Sequence, residues 1–298
     1  MANAIGVNGT HKRKETYANE VLTIARSEMN IYEDFSTDYE VDGATGQIMV
    51  PTRNGEVQLS DYDIKNGIEL TQSATDYLPL PVDKNYACNE LIDGYEAEAV
   101  PDNIRAQRIE SAGYSFGMKK ENFAIDALKT GTISTDTTAL TEATAYKKIA
   151  TEIKNMKKRN MKVSNMRVVV DAETELLLLT DEKFANTSST IGAELVREGV
   201  IGKINGVPVK PNYLLGTVKR EEGSGASKAD KTRNVEFIVY DKRFCQKYEN
   251  WAVEPTINEI KDGKHIGASA LQGRQVGGLM VTNALGVQVK LGAEVTAA

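Results

Sequence analysis

The chain has 298 residues, of which 41% are hydrophobic and 26% are charged, a composition typical of soluble globular proteins with one or two domains. Its 36 Lys and Arg against 42 Asp and Glu give a net charge of -6, which argues against a dedicated DNA-binding module, because such modules carry a positive surface. No apolar run approaches the about 18 residues of a membrane span, and no secretory signal opens the chain, so we expect cytoplasmic synthesis and no membrane contact.

The first 40 residues predict an arm. A short basic run, His11 to Lys14, precedes a predicted helix over about Thr16–Asn30 that has one short apolar face. A helix of this size is marginal alone and needs a partner surface. We therefore predict an arm that packs on something else; an amphipathic helix packed on its own domain is the alternative.

Residues Val41 to Val82 change to a pattern in which apolar and polar residues tend to alternate around the turn signals Asn54-Gly55 and Asn66-Gly67. This pattern predicts an extended β-hairpin. Two arms of about 20 residues would reach roughly 65 Å, and an isolated ribbon of two strands is barely stable in water. We expect the ribbon to lie on a neighbouring molecule; two ordinary hairpins within a compact sheet are the alternative.

The strongest helical signal in the chain follows, from about Pro101 to Lys129, with Gly131 just beyond its end. Pro and Asp favour the first turn of a helix, and glycine favours the position after the last. Apolar residues recur at helical spacing and predict one buried stripe, formed by Ile109, Ala112, Phe116, Phe123 and Ala127. The basic residues of the helix are expected on a solvated or subunit-contact face: Arg105, Arg108, Lys119 and Lys120.

A second helix is predicted over about Glu142 to Lys158, with a buried face that contains Ala145, Ile149, Ile153 and Met156. Its other side is rich in lysine (Lys147, Lys148, Lys154, Lys157 and Lys158). We expect a solvated face rather than a phosphate-binding one, because Glu142 and Glu152 interrupt the positive charge.

The remaining chain predicts an α/β layer followed by strands. A buried strand over Val168–Val170 leads into a helix over about Ala172–Leu179. The Asn205-Gly206 pair predicts the turn of a β-hairpin. Residues 219 to 234 are polar and rich in Gly, Ser and Lys, which predicts an exposed mobile loop. Three further segments predict strands: VEFIVYDKRF, WAVEPTINEI and GGLMVTNALGVQVKL.

Side chains suited to catalysis are few and scattered. His11 and His265 stand in the predicted arm and in a loop between strands, without a partner at catalytic or metal spacing, so both are expected at the surface. Cys88 and Cys245 form no CxxC or Cys/His cluster and are expected to be buried free thiols. Trp251, the only tryptophan, is expected to be a core or interface anchor. We predict no catalytic, cofactor-binding or metal-binding residues, no cofactor, and no enzyme activity.

Three segments carry a resemblance to a known family: RVVVDAETELLLLTDEKF, LVREGVIGKINGVPVKPNYLL and VEFIVYDKRF. They resemble the strand, helix, hairpin and strand series in the axial domain of HK97-type major capsid proteins of tailed bacteriophages. The order of predicted elements resembles that family over nearly the whole chain. The fold class that the resemblance implies is α+β, with an N-arm, an extended β-hairpin loop, a long spine helix in a peripheral domain, and an α/β axial domain.

The resemblance also implies domain boundaries. Residues 1–40 would be the N-arm and 41–88 the extended loop. The peripheral domain would take in residues 89–140 and 250–275, and the axial domain residues 141–249 and 276–298.

The function that the resemblance implies is self-assembly, through pentamers and hexamers, into an icosahedral shell that encloses double-stranded phage DNA. The chain would be made in the bacterial host cytoplasm and reside in the virion. Because Met1 stands close to the arm, we expect a separate scaffolding protein, together with a portal and a decoration protein. Contact with packaged DNA would be non-specific, with His11 to Lys14 as candidates to face it.

Some family members crosslink covalently through a lysine and an asparagine. Lys65, beside Asn66, lies in the predicted ribbon, but we expect it only to aid solubility. Three other functions stay open: an encapsulin-type nanocompartment shell, an α/β enzyme with an unrecognised site, and a tail or adhesion protein.

Overall fold

A computed structural model describes residues 29–36, 46–53, 59–68, 75–93, 102–181, 184, 200–222, 229–261 and 264–295. The predicted arm helix, apart from its last two residues, and the basic run lie outside these ranges. The described residues divide into two compact units. The smaller unit contains Ala87–Phe116 and Val253–Arg274, and the larger contains Ser27–Tyr86, Gly117–Ala252 and Gln275–Ala298, each as far as its residues are described.

Three helices lie in the described ranges: α1 (Asp102–Lys129), α2 (Ala145–Lys158) and α3 (Ala172–Thr180). The strands, in chain order, are β1 (Gln47–Arg53), β2 (Thr75–Pro81), β3 (Lys84–Ile92), β4 (Thr132–Ile133), β5 (Met166–Val170), β6 (Gly202–Ile204), β7 (Val207–Pro211), β8 (Thr217–Glu222), β9 (Ala229–Asp241), β10 (Cys245–Glu259), β11 (Ser269–Val281) and β12 (Val287–Glu294). The fold class is therefore α+β, as predicted.

The core of the larger unit is a mixed seven-stranded sheet in the order β4-β12-β9-β5-β7-β6, with β8 paired to β9. Strand β5 runs parallel to β7, with Val168 opposite Val209, and antiparallel to β9, with Val169 opposite Ile238. Strand β12 pairs antiparallel with β9 and parallel with β4. We refer to these seven strands as the central sheet. Strands β10, β11 and β3 form a three-stranded sheet in that order.

Both faces of the central sheet are covered, which explains the continuous apolar runs in β5 and β9. Because side chains alternate along a strand, Val168 and Val170 face α2 and α3, whereas Val169 faces the opposite cluster. On the first face, the predicted stripe of α2 is fully buried: Ala145, Ile149, Ile153 and Met156. On the second face lie Ala124, Ile125 and Leu128 of α1, together with Ile31 and Phe35.

Helix α1 has the predicted length, but only part of its predicted apolar stripe is buried. Ala112 and Phe116 are buried as expected, whereas Ile109 is exposed. The most deeply buried positions lie in the last turns instead (Glu121, Ala124, Ile125 and Leu128), because this end of α1 covers the central sheet. In the smaller unit, Ala112 packs with Ile92 and Leu271.

Local sequence signals agree with the ends of several elements. The turn at Asn205 and Gly206, with φ of 51° and 85°, joins β6 and β7 as a hairpin of the predicted kind. Helix α3 begins after Asp171, whose carboxylate accepts a hydrogen bond from the Thr174 N–H at 2.9 Å. Helix α2 begins at Ala145 rather than at residue 142, because residues 142–144 form a turn in which Ala145 N–H donates to Thr141 C=O.

The prediction of a mobile loop over residues 219–234 was wrong at both ends. Strands β8 and β9 pair there, with Val218 opposite Arg233, and residues 223–228 between them lie outside the described ranges. Opposite charges across the two strands stabilise the pairing. Arg233 binds the Glu222 carboxylate with two nitrogens, each at 2.8 Å.

Candidate functional site

The two strands of the predicted ribbon pair with each other. Strand β1 runs antiparallel to β2, with Ile48 opposite Leu80, as the ribbon prediction required. On one side of this pair, Ile48, Val50 and Leu80 are buried against Tyr248. Gly278 of β11 packs closely against the end of β2. A Cβ atom at position 278 would be only 2.0 Å from the carbonyl oxygen of Pro81. The base of the ribbon is therefore packed on the rest of the larger unit.

Between the two strands, the described residues 59–68, which we call the loop segment, expose apolar side chains. Leu59 is 94% exposed and Ile64 90%, and Tyr62 and Ile68 are also more than half exposed. A turn holds the segment, in which the N–H of residue 67 donates to the C=O of residue 63 at 2.8 Å. Apolar side chains of this size that are exposed within one short stretch are typical of interaction surfaces.

Residues 29–36, which we call the arm root, are fixed to the larger unit by a buried carboxylate. Glu121 of α1 is fully buried and accepts hydrogen bonds from three successive backbone N–H groups, those of Asn30, Ile31 and Tyr32, at 2.9–3.0 Å. The side-chain amide of Asn212 donates to the same carboxylate at 2.7 Å. These hydrogen bonds attach residues 30–32 to α1 and β7 of the larger unit.

A second carboxylate secures the other end of the arm root. The hydroxyl of the buried Tyr240 donates to Asp34 at 2.7 Å, and Lys242 and Lys210 form ion pairs with the same carboxylate. Burial, followed by the nearby Asp34 charge, raises the pKa of Tyr240 well above its ordinary value. The phenol therefore remains a hydrogen-bond donor at any physiological pH.

Beside the arm root, four lysines stack on two aromatic rings, and we call them the stacked lysines. Lys120 and Lys247 lie over the Tyr32 ring, at 5.3 and 4.1 Å from its centroid. The other two, Lys84 and Lys119, lie over the Phe123 ring, at 5.5 and 5.2 Å from its centroid.

Two carboxylates accompany the stacked lysines. Glu249 accepts a hydrogen bond from Lys120 at 2.7 Å and another from the Tyr32 hydroxyl. Burial favours a higher pKa for Glu249, but these two hydrogen bonds and the charges of Lys120 and Lys247 together lower that pKa. Asp83 pairs with Lys84 at 2.7 Å.

The lysine-rich side of α2 is largely exposed, as predicted for a solvated face. We call its exposed cations the α2 lysine face: Lys147, Lys154, Lys157, Lys158, Arg159 and Lys162. Lys148 is not among them, because it is partly buried and pairs with Asp136 at 2.9 Å. The predicted interruption by acidic residues is limited to Glu152, which lines one cavity together with Lys147 and Lys148. Glu142 precedes the helix, and Glu152 lies on its flank, where it accepts a hydrogen bond from Asn155 at 3.2 Å.

The side chains considered for catalysis are not brought together. His265 is exposed in the connection before β11, as predicted, and His11 lies outside the described ranges. Both cysteines are free, but only Cys245 is buried, and Cys88 is partly exposed. The backbone of Trp251 belongs to β10, and its side chain lies outside what the structure describes.

Metal binding and membrane crossing find no support in the part of the chain that the structure describes. Within the described ranges, no group of three or more His, Cys, Asp or Glu side chains could hold a metal ion. Over the same residues, no helix has both the length and the apolar character needed to cross a membrane.

Solved structures resemble the chain over its whole length. The capsid structure of the cyanophage P-SCSP1u has a TM-score of 0.75 at 14% identity, covering 98% of this chain and 98% of that one. The mature capsid of bacteriophage PhiM1 has a TM-score of 0.67 at 15% identity, covering 98% and 96%. The chain has a phage capsid fold. The capsid of Ralstonia phage GP4 shares this capsid fold at only 9% identity, with a TM-score of 0.67 and coverage of 99% and 100%.

At such identities the likeness to other capsids lies in the fold rather than in the residues. No protein-family model and no curated protein matches the chain. The similarity covers at least 96% of each of the chains compared, so it concerns the fold as a whole and not one part of it.

Sequence analysis missed the residues that fix the arm root. Glu121 stands within the polar stretch KKEN of α1, and its hydrogen-bond partners are about 90 positions away in the chain. The stacked lysines were missed for the same reason, since Tyr32, Phe123 and Lys247 meet only in the folded unit. The loop segment and the lysine-rich side of α2, by contrast, each have a local signal in the sequence.

Proposed function

We propose that the chain is the major capsid protein of a tailed bacteriophage, and that many copies assemble into an icosahedral shell around double-stranded DNA. The observation that carries the proposal is the exposed apolar loop segment within a fold that matches phage capsids from end to end. Burying one side chain such as Leu59 or Ile64 contributes about 1.5–3 kcal/mol. Contacts of this size become strong when they are repeated around a closed shell.

The proposed assignment of parts follows the predicted boundaries. Helix α1 would be the spine of a peripheral domain (89–140 and 250–275), and the central sheet would lie mainly in an axial domain (141–249 and 276–298). Residues 1–40 would be the N-arm and 41–88 the extended loop. The protein would act structurally rather than as an enzyme.

The proposed partners are further copies of the chain, in pentamers and hexamers, with a separate scaffolding protein, a portal and a decoration protein. The shell would assemble in the host cytoplasm and form the outer wall of the virion. The acidic net charge of -6 suits a wall that confines DNA without binding it tightly along its whole surface.

Negative-stain electron microscopy tests the proposal. The chain is produced with and without the neighbouring genes, and the particles are examined for closed shells and for nuclease-resistant DNA. Closed shells that hold DNA when the neighbouring genes are present are expected. Shells that hold only a protein cargo would indicate a nanocompartment, and a strictly monomeric product under both conditions would contradict the proposal.

A further inference from the structure

The stacked lysines are an unusual arrangement of like charges. Each of two half-buried rings, Tyr32 and Phe123, carries two ammonium groups within 5.5 Å of its centroid. The ring faces attract the cations, yet the two lysines on one ring repel each other. Lys247 illustrates this, since burial and the Lys120 charge lower its pKa although Glu249 opposes the shift. An anion above the rings would relieve the repulsion.

The carboxylates that pair with the stacked lysines do not neutralise all four of them. Glu249 pairs with Lys120, and Asp83 pairs with Lys84. Lys119 is exposed, and Lys247 donates to a backbone carbonyl, that of residue 32, at 3.0 Å. Among the described residues, two ammonium groups of the set therefore lack a carboxylate in direct contact.

The surface between the two rings is a shallow crevice lined by Tyr86, Gln275 and the Glu249 carboxylate, among others. Its volume is only about 10 Å³, which is too small for an organic ligand. Because the Glu249 carboxylate also lines the crevice, an anion would contact the exposed ammonium groups from the solvent side and would not enter it.

We propose that the stacked lysines bind phosphate groups of the double-stranded DNA backbone. Ammonium groups held on ring faces suit the sequence-independent contact that a phosphate backbone makes. This inference rests on the proposed function in one respect, namely that the DNA is the packaged genome. The same side of the central sheet carries the arm root, and the chain before the arm root contains the basic run His11 to Lys14.

The α2 lysine face is the rival surface, and it lies on the opposite side of the central sheet. Its cations are exposed, and within the described ranges no aromatic ring lies beneath them. Lys157 and Lys158 in the last turn have a structural explanation, because cations there offset the helix dipole. A solvated face of this kind raises solubility, and we expect it to contribute little to binding DNA.

The test compares two variants that each remove four positive charges from the full-length, unassembled subunit. One changes the four stacked lysines to Gln, and the matched control changes four cations of the α2 lysine face to Gln (Lys147, Lys154, Lys157 and Lys158). Binding to a labelled DNA duplex of arbitrary sequence is measured by fluorescence anisotropy over a series of NaCl concentrations. Each phosphate contact that is removed reduces the slope of log affinity against log salt by about 0.9, so the loss of the two ammonium groups without a carboxylate should lower the slope of the first variant by about 2.

The control variant should keep a slope close to that of the unmodified chain. A third variant, with the four stacked lysines changed to Arg, retains the charge and should retain the slope. The single variant Lys119→Gln, at an exposed position, should reduce the slope by about 0.9 even where the quadruple variant folds poorly. Equal reductions in both four-lysine variants, or a larger reduction in the control, would overturn the inference. Unchanged DNA binding together with failed assembly alongside the scaffolding gene would overturn it in favour of an acidic protein partner.

Shell formation by the unmodified chain is scored separately by microscopy. Shells with no effect of the stacked lysines on DNA binding would refute this inference and leave the proposed function standing. DNA binding through the stacked lysines in a chain that forms no shells would support this inference and refute the proposed function.

Discussion

The central sheet and the ribbon are both built from strands rich in apolar residues, but they bury those residues differently. In the central sheet, the three valines of β5, Val168–Val170, are all fully buried, because helices or the arm root cover both faces. In the ribbon, Ile48 and Leu80 are buried on one side, whereas Met49 and Tyr77 on the other are more than half exposed. The loop segment between the strands has no apolar cover among the described residues.

This difference separates two roles within one chain. The central sheet completes its core within the subunit and should set the stability of the subunit. The ribbon leaves apolar surface that the other described residues do not bury, so we expect it to set assembly. Substitutions in each region can break or sharpen this division, and they differ in their expected effect on the free energy of unfolding of the subunit.

The arm root should behave as part of the core, not as part of the ribbon. Replacing Glu121 by Ala leaves the N–H groups of Asn30, Ile31 and Tyr32 without their acceptor, and should lower the free energy of unfolding by about 3–5 kcal/mol. Urea denaturation of the unassembled subunit measures this change.

The matched control is Asp126, an exposed carboxylate on the same helix that contacts only Lys129 among the ion pairs of the described residues, at 3.5 Å. Because an exposed ion pair contributes little, Asp126→Ala should change the free energy of unfolding by less than about 1 kcal/mol. Equal effects of Glu121→Ala and Asp126→Ala would show that the buried carboxylate does not hold the arm root.

Substitutions on the face of α2 that covers the central sheet should have the next largest effect on the free energy of unfolding. Ile153 is fully buried in the main cluster, and Ile153→Ala should lower the free energy of unfolding by about 2–4 kcal/mol, because burial is reduced and a cavity remains. Lys154→Ala, one position along on the exposed side, should change it by less than about 0.5 kcal/mol. Thermal denaturation of both variants provides the comparison, and a small effect at Ile153 would contradict the two-layer packing.

Replacing the apolar side chains of the loop segment should leave the subunit stable and prevent assembly. For the triple variant of Leu59, Tyr62 and Ile64 to Ser, we expect an unfolding free energy within about 0.5 kcal/mol of the unmodified chain and no closed shells by microscopy. The control changes Asp61 and Lys65 to Ser, which leaves the net charge and the apolar residues intact, and should assemble. Shells from the triple variant would show that the ribbon does not drive assembly.

The smallest effect concerns Glu236 of β9, which lies under the turn between β4 and α2 and accepts a hydrogen bond from Leu140 N–H at 3.0 Å. Burial raises the pKa of Glu236 above its ordinary value, against the lowering effects of that hydrogen bond and of Lys290. The folded state therefore takes up a proton at a higher pH than the unfolded state does. Stability should accordingly rise as the pH falls from neutral through the folded pKa towards the unfolded value near 4.5.

Glu236→Gln should remove this gain. The difference in melting temperature between the unmodified chain and Glu236→Gln should shift in favour of the unmodified chain on going from neutral to mildly acidic pH. A difference that is constant with pH, or that shifts the other way, would show that the carboxyl group does not titrate as described.

Elements with a local periodic pattern could be predicted from the sequence. The stripe of α2, the buried strand β5 and the turn at Asn205-Gly206 each contain their own signal within a few residues. The hairpin of β8 and β9 was missed because its polar composition resembles a loop, and its pairing depends on cross-strand partners such as Arg233 and Glu222. Composition indicates solvent exposure there, not the absence of a strand.

The arm root and the stacked lysines could not be predicted, because they depend on which distant residues meet. In the sequence, nothing distinguishes Glu121 from Asp126, since both are acidic residues in the last third of the predicted helix. Only the position of α1 on the central sheet makes the first a buried acceptor and leaves the second in solvent. The ribbon could be predicted because apolar residues around turn signals form a local pattern, whereas the exposure of the loop segment depends on the fold.

The division between core and ribbon is tested most directly by hydrogen–deuterium exchange of the same protein, first as unassembled subunits and then as shells. Peptides that span residues 59–68 should exchange rapidly in the subunit and become protected in the shell, whereas those from β5 and β9 should be protected in both. Rapid exchange of residues 59–68 in closed shells, or full protection in the isolated subunit, would contradict the account.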